Sequence, residues 1–405
     1  MSRLNPDNRR VVVTGLGVVS SLGIGWQEFW KNLLAGKSGI SKITTFDTSQ
    51  YERHYGGEVK NFDPTQFMSR KKAERLGRAS QMAIAASKLV LEDSKLDFQS
   101  IDRERTGVCI GTTAGEIQLL EKLDDYKFQK RKKFNNSLIM AYPSSALSTN
   151  VSLEYKFNNR SYVFPTACAS GNYALGYAFD QIRLSKLNYA LAGGADAFSR
   201  IVFTGFGRLY AIAPEKCQPF DKNRQGMIPG EGAGMLLLES LETAKKRRAH
   251  IYAEVLGYGM SSDAYDMTEP SVIGVSKALQ KGLKNSNISP DEVDYISAHG
   301  TGTIENDAAE SQSINKVFEK RTPMIPVSSI KSMLGHTMGA ASAFGAVACC
   351  LAIKDGQVPP TINHEKNDSQ CKIDCVPNKS RRHKVKIALN NSQAFGGNNA
   401  CLILK

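Results

Sequence analysis

Tyr162-Val163-Phe164-Pro165-Thr166-Ala167-Cys168-Ala169-Ser170-Gly171-Asn172 reads as a β-strand running into the mouth of a helix. The β-branched and aromatic run Tyr162 to Phe164 stops at a proline, small residues follow, and a helical pattern extends from Ala169 to about Lys186. A thiol at a helix N-terminus meets unpaired N–H groups and the positive end of the macrodipole. The ordinary cysteine pKa of about 8.5 is therefore expected to fall by a unit or more. Ala169, Ser170 and Gly171 leave room for a substrate to approach. A lone cysteine is more often a buried small hydrophobe, so the rest of the chain has to decide between the two.

Outward from this turn, strand and helix alternate. Gly107 to Gly111 is a short buried strand with a turn over Thr112 to Gly115, and Tyr189 to Ala195 is the strand after the Cys168 helix. Upstream, Val11 to Val19 forms a first strand, Trp26 to Leu34 a short helix, and Lys71 to Asp93 a long one. In that long helix Met82, Ala83 and Ala86 face inward and Arg75 and Arg78 outward. The charged stretch 116–136 reads as a surface excursion. Such alternation predicts a parallel α/β layer with sites at the strand ends, where Cys168 stands. A second round begins near Ile251 to Gly259. Val293 to Ala298 is a strand ending in His299-Gly300-Thr301-Gly302-Thr303, residues 306–319 are a helix, and Ile325 to Ile330 is a strand. Lys331-Ser332-Met333-Leu334-Gly335-His336 leaves that strand, Thr337 to Ile353 is a small-residue helix, and Lys386 to Asn391 and Ala400 to Leu404 pair around Phe395-Gly396-Gly397-Asn398. The halves divide as 1–250 and 251–405, and residue identity alone does not establish a duplication.

Composition narrows the class. The chain has 405 residues, 41% of them hydrophobic and 22% charged, as in an ordinary globular protein. Its net charge of +13 attracts acidic partners: nucleic acid, an anionic membrane or an acidic protein. The basic residues cluster at Arg70 to Arg78, Lys127 to Lys133, Lys245 to Arg248 and Arg381 to Lys386. No zinc-finger spacing, RNA-binding aromatic motif or basic heptad region accompanies them, so no nucleic-acid partner is expected. Ala340 to Ile353 is shorter than the roughly 20 residues of a membrane span, so no membrane partner is expected either. Eight cysteines without a framework spacing fit a reduced, cytoplasmic setting. Cys371 and Cys375 lack a matching second pair, so no metal is expected. Gly15-x-Gly17 lacks the third glycine of a dinucleotide fingerprint, where Ser20 stands.

Two of the six histidines, His299 and His336, directly follow strands and sit beside glycines, and Lys331 precedes His336 by five residues. A cysteine nucleophile with two histidines to manage charge is the chemistry of thioester acyl transfer. The ordered motifs resemble those of a β-ketoacyl carrier-protein synthase, a condensing enzyme of the thiolase superfamily. They are Arg10 to Gly15, Thr166 to Asn172, Pro219-Phe220-Asp221, Gly230 to Gly234, Gly257 to Tyr265, Ala298 to Thr303, Ser329 to His336 and Phe395-Gly396-Gly397, and they cover nearly the whole chain. The resemblance implies an α/β thiolase-like fold of two duplicated αβ halves in a layered α-β-α-β-α sandwich.

By the same resemblance, Cys168 takes an acyl group from the phosphopantetheine arm of an acyl carrier protein. His299 and His336 stabilise the enolate left when a malonyl unit loses carbon dioxide. The backbone N–H groups of Cys168 and Phe395 form the oxyanion hole, and Phe395 gates access. Lys331, paired with Glu310, organises the histidines, and Thr301 and Thr303 hydrogen-bond the arm. The chain itself holds no cofactor. His299-Gly300-Thr301-Gly302-Thr303 and Ser329-Ile330-Lys331-Ser332-Met333 are more similar to the ketosynthase alpha subunit of a type II aromatic polyketide synthase than to a long-chain fatty-acid enzyme, which has His-Gly-Thr-Ser-Thr-Pro and Ser-Thr-Lys-Ser-Met. That implies a heterodimer with a chain-length factor paralogue, or else a homodimer. Ala114, Phe206 and Met227 are expected to line a roomy acyl pocket. Ser392-Gln393-Ala394 departs from the usual Gly-Phe-Gly that precedes Phe395. Arg70, Lys71 and Arg208 are the expected docking residues for the acidic carrier. Fatty-acid elongation, a silent partner subunit and a thiolase are the alternatives. Cys168 argues against the second, and the third needs a second catalytic cysteine, for which Cys401 lies in no matching motif.

Overall fold

Val11–Ser20 forms β1, and all ten of its residues are buried, as its predominantly apolar and glycine run requires. The computed structural model describes residues 9–97, 101–129 and 136–405. Lys130, Arg131, Lys132 and Lys133 of the second basic cluster lie outside the described residues.

After β1 come β2 (Thr106–Gly111), β3 (Ser161–Phe164), β4 (Tyr189–Asp196) and β5 (Gly232–Ser240). They lie side by side in the order β3-β2-β4-β5-β1. β2 is parallel to β3 and β4, whereas β4 with β5 and β5 with β1 are antiparallel. The second half supplies β6 (Ala253–Ser262), β7 (Tyr295–Ser297), β8 (Val327–Ser328), β9 (Ala388–Ser392) and β10 (Asn398–Leu404). Their order is β8-β7-β9-β10-β6, again with the first two pairings parallel and the last two antiparallel. Order and direction are the same in both halves, which displays the duplication that residue identity left open. Val11–Val13 of β1 pairs with Ala253–Val255 of β6, so the two sheets join edge to edge.

Six helices complete the repeat: α1 (Arg78–Asp93), α2 (Ala146–Tyr155) and α3 (Ser170–Arg183) in the first half, and α4 (Val272–Ser286), α5 (Ile304–Phe318) and α6 (Ala341–Asp355) in the second. α3 and α6 pack on each other and on strands of both halves, forming the middle layer. α1 with α2, and α4 with α5, cover the outer faces. The result is the five-layer α-β-α-β-α sandwich. The stretch Met338–Asp355 is long and apolar enough to cross a membrane by composition, yet it is the buried middle helix.

Some local expectations change. The long helix expected over Lys71 to Asp93 is interrupted: a short helix spans Arg70–Ala73, and α1 starts at Arg78 after an extended Gly77. A Cβ on Gly77 would lie 1.9 Å from the Glu116 carboxylate, so the break leaves room for that side chain. Glu116 is buried and accepts from the Ser80 amide at 2.6 Å. The stretch 116–136 therefore begins inside the protein, and its described part continues as a helix over Gln118–Gln129. Arg78 does not face solvent freely: its guanidinium pairs with the buried Glu231 carboxylate at 2.7 Å and 2.9 Å. The strand expected over Ile325 to Ile330 shortens to Val327–Ser328.

Candidate active site

Cys168 sits on a single 3-10 turn, Ala167–Ala169, between β3 and α3, and is 6% exposed. Ala167 is held at φ +48, a left-handed conformation that costs an L-residue on the order of 1–2 kcal/mol. The turn is anchored to the second half. Asn172 Nδ2 donates to the Asn390 carbonyl at 3.1 Å, Asn390 Nδ2 returns a bond to Asn172 Oδ1 at 2.8 Å, and the Asn172 amide donates to Ser342 Oγ at 3.0 Å. The position of Cys168 is thus fixed from β9 and α6 as well as from its own strand.

The expected depression of the Cys168 pKa is not found. Burial pushes the thiol up to about 12, against the pull of the Lys331 ammonium. Desolvation outweighs the charge, so the resting group is a thiol rather than a standing thiolate.

His299 follows β7, and the backbone beyond it folds back through Gly300 at φ +37 and Gly302 at φ +81, where a side chain would be strained. Buried Glu310 on α5 accepts from the His299 amide at 2.7 Å, the Gly300 amide at 2.7 Å and Asn391 Nδ2 at 2.6 Å. Buried Asp307, three residues earlier, accepts from the Thr301 amide at 3.0 Å and the Phe220 amide at 2.7 Å. Two carboxylates on one helix therefore hold the histidine loop by its N–H groups. Lys331 Nζ donates to the His299 carbonyl and stands 3.5 Å from His299 Nδ1. The expected Lys331–Glu310 pair is corrected accordingly. Both residues grip the His299 backbone, one from its amide side and one from its carbonyl. Glu310 acts on Lys331 through its charge, raising a pKa that burial lowers. Glu310 itself is raised to about 7 by burial.

His336 is held by its amide on the Ile228 carbonyl at 2.6 Å, and its Nδ1 accepts from the Met338 amide at 3.1 Å. The two imidazoles meet edge to face with centroids 5.5 Å apart. Burial and Lys331 hold both pKa values well below the ordinary 6.5, so both rings are neutral at pH 7.

A cavity of about 400 Å³ collects Cys168, His299, His336, Thr301 and Thr303, with Phe206, Met227 and Phe395 also on its wall. The Thr301 and Thr303 hydroxyls are 2.9 Å apart. Phe395 stacks obliquely on Phe206 with centroids 5.8 Å apart. Residues from both halves thus meet in one chamber.

The chain belongs to the β-ketoacyl synthase family. Residues 8–244 match the N-terminal domain of beta-ketoacyl synthases and residues 252–365 match the C-terminal domain. A 3-oxoacyl-[acyl-carrier-protein] synthase 2 from Synechocystis sp. is 39% identical over 99% of this chain and 99% of its own length. One from Coxiella burnetii is 39% identical over 98% of this chain and 99% of its own. Among solved structures, the ishigamide ketosynthase/chain length factor superposes with a TM-score of 0.95 at 43% identity, covering 98% of both chains. A type II PKS acyl-carrier protein in complex with its ketosynthase bound to the hexaketide gives 0.89 at 34%, covering 98% of this chain and 99% of the other. This ketosynthase is an acyltransferase that joins an acyl chain to a malonyl unit with loss of carbon dioxide.

Other expected residues fall outside the chamber. Ala114 does not line it. Its amide donates to the buried Asp196 carboxylate at 2.9 Å, beside the Gly339 amide at 2.7 Å on the same group. Arg208 is exposed next to Leu209 and Tyr210, which line the mouth, while Arg70 and Lys71 are exposed on their own short helix. Cys401 is buried against the Ala278 carbonyl at 3.2 Å, away from the chamber. Among the described residues no group of three or more His, Cys, Asp or Glu is arranged to hold a metal. Asp196, Asp307 and Gln393 carry positions that motif reading had not assigned. An acidic residue three before Glu310 on the same helix face was the available signal for Asp307.

Proposed function

We propose that this ketosynthase extends carrier-bound polyketide chains, working beside a chain-length factor paralogue. The observation that carries this reading is the 43% identity and TM-score of 0.95 to the ishigamide ketosynthase/chain length factor. The motif wording at His299 to Thr303 and Ser329 to Met333 supports it as well. The 39% identity to 3-oxoacyl-[acyl-carrier-protein] synthase 2 favours a second reading, elongation of long saturated chains.

Residues 1–250 supply the thiol and 251–405 the histidines. The Cys168 sulfur attacks the carrier thioester, the pantetheine thiol leaves with the proton, and the acyl chain remains on Cys168. Malonyl carrier protein then enters, its arm held by Thr301 and Thr303. His299 and His336 donate to the thioester oxygen as carbon dioxide leaves, and the enolate carbon attacks the Cys168 thioester. The amides of Cys168 and Phe395 receive the resulting oxyanion, a donor pair of a kind worth roughly 3–4 kcal/mol per donor. Its collapse breaks the C–S bond to Cys168, the sulfur takes a proton from water, and the extended β-ketoacyl chain leaves on the carrier. The phosphopantetheine belongs to the carrier, and this chain contributes only its channel. Arg70, Lys71 and Arg208 meet the acidic carrier. β3, the end strand of its sheet with Tyr162 exposed, is the edge against which a paralogue or second copy would pair.

Intact-mass analysis of Cys168 with acyl and malonyl carrier proteins, with and without a chain-length factor paralogue, tests the reading. Polyketide products formed only with the paralogue are expected. Faster elongation of saturated long chains by the enzyme alone would overturn it.

A further inference from the structure

Gln393 lies one residue past the end of β9, between the Glu310 partner Asn391 and the gating Phe395. Gln393 is 2% exposed and lines the chamber that holds Cys168, His299 and His336. Neither its Nε2 nor its Oε1 is hydrogen-bonded to any described residue. A carboxamide carries two donors and an acceptor, and burying it unpaired is costlier than burying an apolar side chain of equal size. A residue that served only to fill this wall would gain by being a leucine or a methionine.

We propose that Gln393 selects acyl chains that carry oxygen at the β position. The proposal rests on the polyketide reading above and adds the residue that enforces it. The first carbons of a chain esterified to Cys168 share the chamber with Gln393. A β-carbonyl accepts from Nε2, and a β-hydroxyl or the enol form donates to Oε1. A saturated chain satisfies neither atom and covers the carboxamide with methylene, which is the arrangement that discriminates most strongly against an analogue lacking its polar group. Gln393 therefore acts on the chain being loaded and extended, whereas His299 and His336 act on the malonyl unit.

The test measures transfer of 3-oxoacyl, 3-hydroxyacyl and saturated acyl groups of equal length from carrier protein to Cys168, by intact mass. The full-length enzyme is compared with Gln393→Leu and with Gln393→Met, whose volume is close to that of glutamine. Wild type is expected to load the β-oxygenated chains about tenfold or more faster than the saturated one. Both variants are expected to level the rates, slowing the oxygenated chains and quickening the saturated one. Retention of the wild-type preference by either folded variant overturns the role of Gln393 and leaves the polyketide reading standing. An equal fall for all three chains also overturns it, because that reports a general loading defect. A wild type without preference removes the polyketide reading and this proposal with it.

Discussion

The Met338 amide donates to His336 Nδ1 over 3.1 Å, and that bond decides where the ring proton sits. Nδ1 must offer a lone pair, so Nε2 carries the hydrogen. Lys331 Nζ, 3.5 Å from His299 Nδ1, favours the same tautomer in the second ring. Two neutral imidazoles with protonated Nε2 atoms are a donor pair, suited to an oxygen that gains negative charge.

Loss of either donor should separate the two half-reactions. His336→Ala or His299→Ala is expected to lower condensation by about 10²–10³ while Cys168 still accepts an acyl group. The pH dependence follows from the direction of the shifts. Both histidine pKa values lie well below 6.5, and the neutral form is the working one. Activity should therefore be lost only as pH falls below that value, with kcat level from pH 6.5 to 8. An acid limb centred at 6.5 or higher would contradict the assignment.

The chemistry was legible in the sequence where glycine-flanked polar residues follow apolar strands, because a strand end next to a glycine turn is where side chains can reach a ligand. His299 and His336 each adjoin a glycine, and Cys168 and Lys331 stand four and three residues past an apolar strand. The pKa of Cys168 was not legible. Its helix-mouth position argued for a thiolate, and desolvation by elements hundreds of residues apart reversed the sign. The inward pairing of Arg78 is hidden for the same reason, since its partner Glu231 is 153 positions away and no periodicity announces it. The duplication became visible only as strand order, because topology persists where residue identity does not.

Arg78 is a structural residue rather than part of a basic docking face. Glu231 accepts from Arg78, from the Val59 amide at 2.8 Å and from the Phe198 amide at 2.9 Å, and it is fully buried. Arg78→Ala leaves that carboxylate without its counter-charge and should cost about 3 kcal/mol or more. Urea unfolding should show the midpoint falling with the slope unchanged. A loss below about 1 kcal/mol would mean that the two amides suffice.

Arg70 and Lys71 should behave in the opposite way. The Arg70 side chain is 85% exposed and meets Glu74 at 3.2 Å, an exposed i,i+4 pair. Reversing both charges should leave unfolding within about 0.5 kcal/mol of wild type. Steady-state kinetics should show a raised KM for carrier protein at an unchanged kcat, with the difference shrinking as salt shortens the screening length to about 3 Å at 1 M. An unchanged KM would move the docking surface toward Arg208.

Buried thiols should make the fold alkali-sensitive. Burial raises Cys109, Cys168, Cys217, Cys350, Cys371, Cys375 and Cys401 to about 12, and Cys349 well above the ordinary value of about 8.5. Above pH 9 the unfolded chain releases these protons and the folded chain keeps them, so the folded state binds more protons and loses stability as pH rises. Each thiol contributes a slope of up to about 1.4 kcal/mol per pH unit, from the unfolded pKa until the folded one is reached. Urea midpoints measured from pH 8 to pH 10.5 should therefore be level at first and then fall steeply. Cys109→Ala should lower stability at pH 8 by opening a small cavity and soften the alkaline slope by one thiol's share. Stability that holds to pH 10.5 would show that these sulfurs ionise in place.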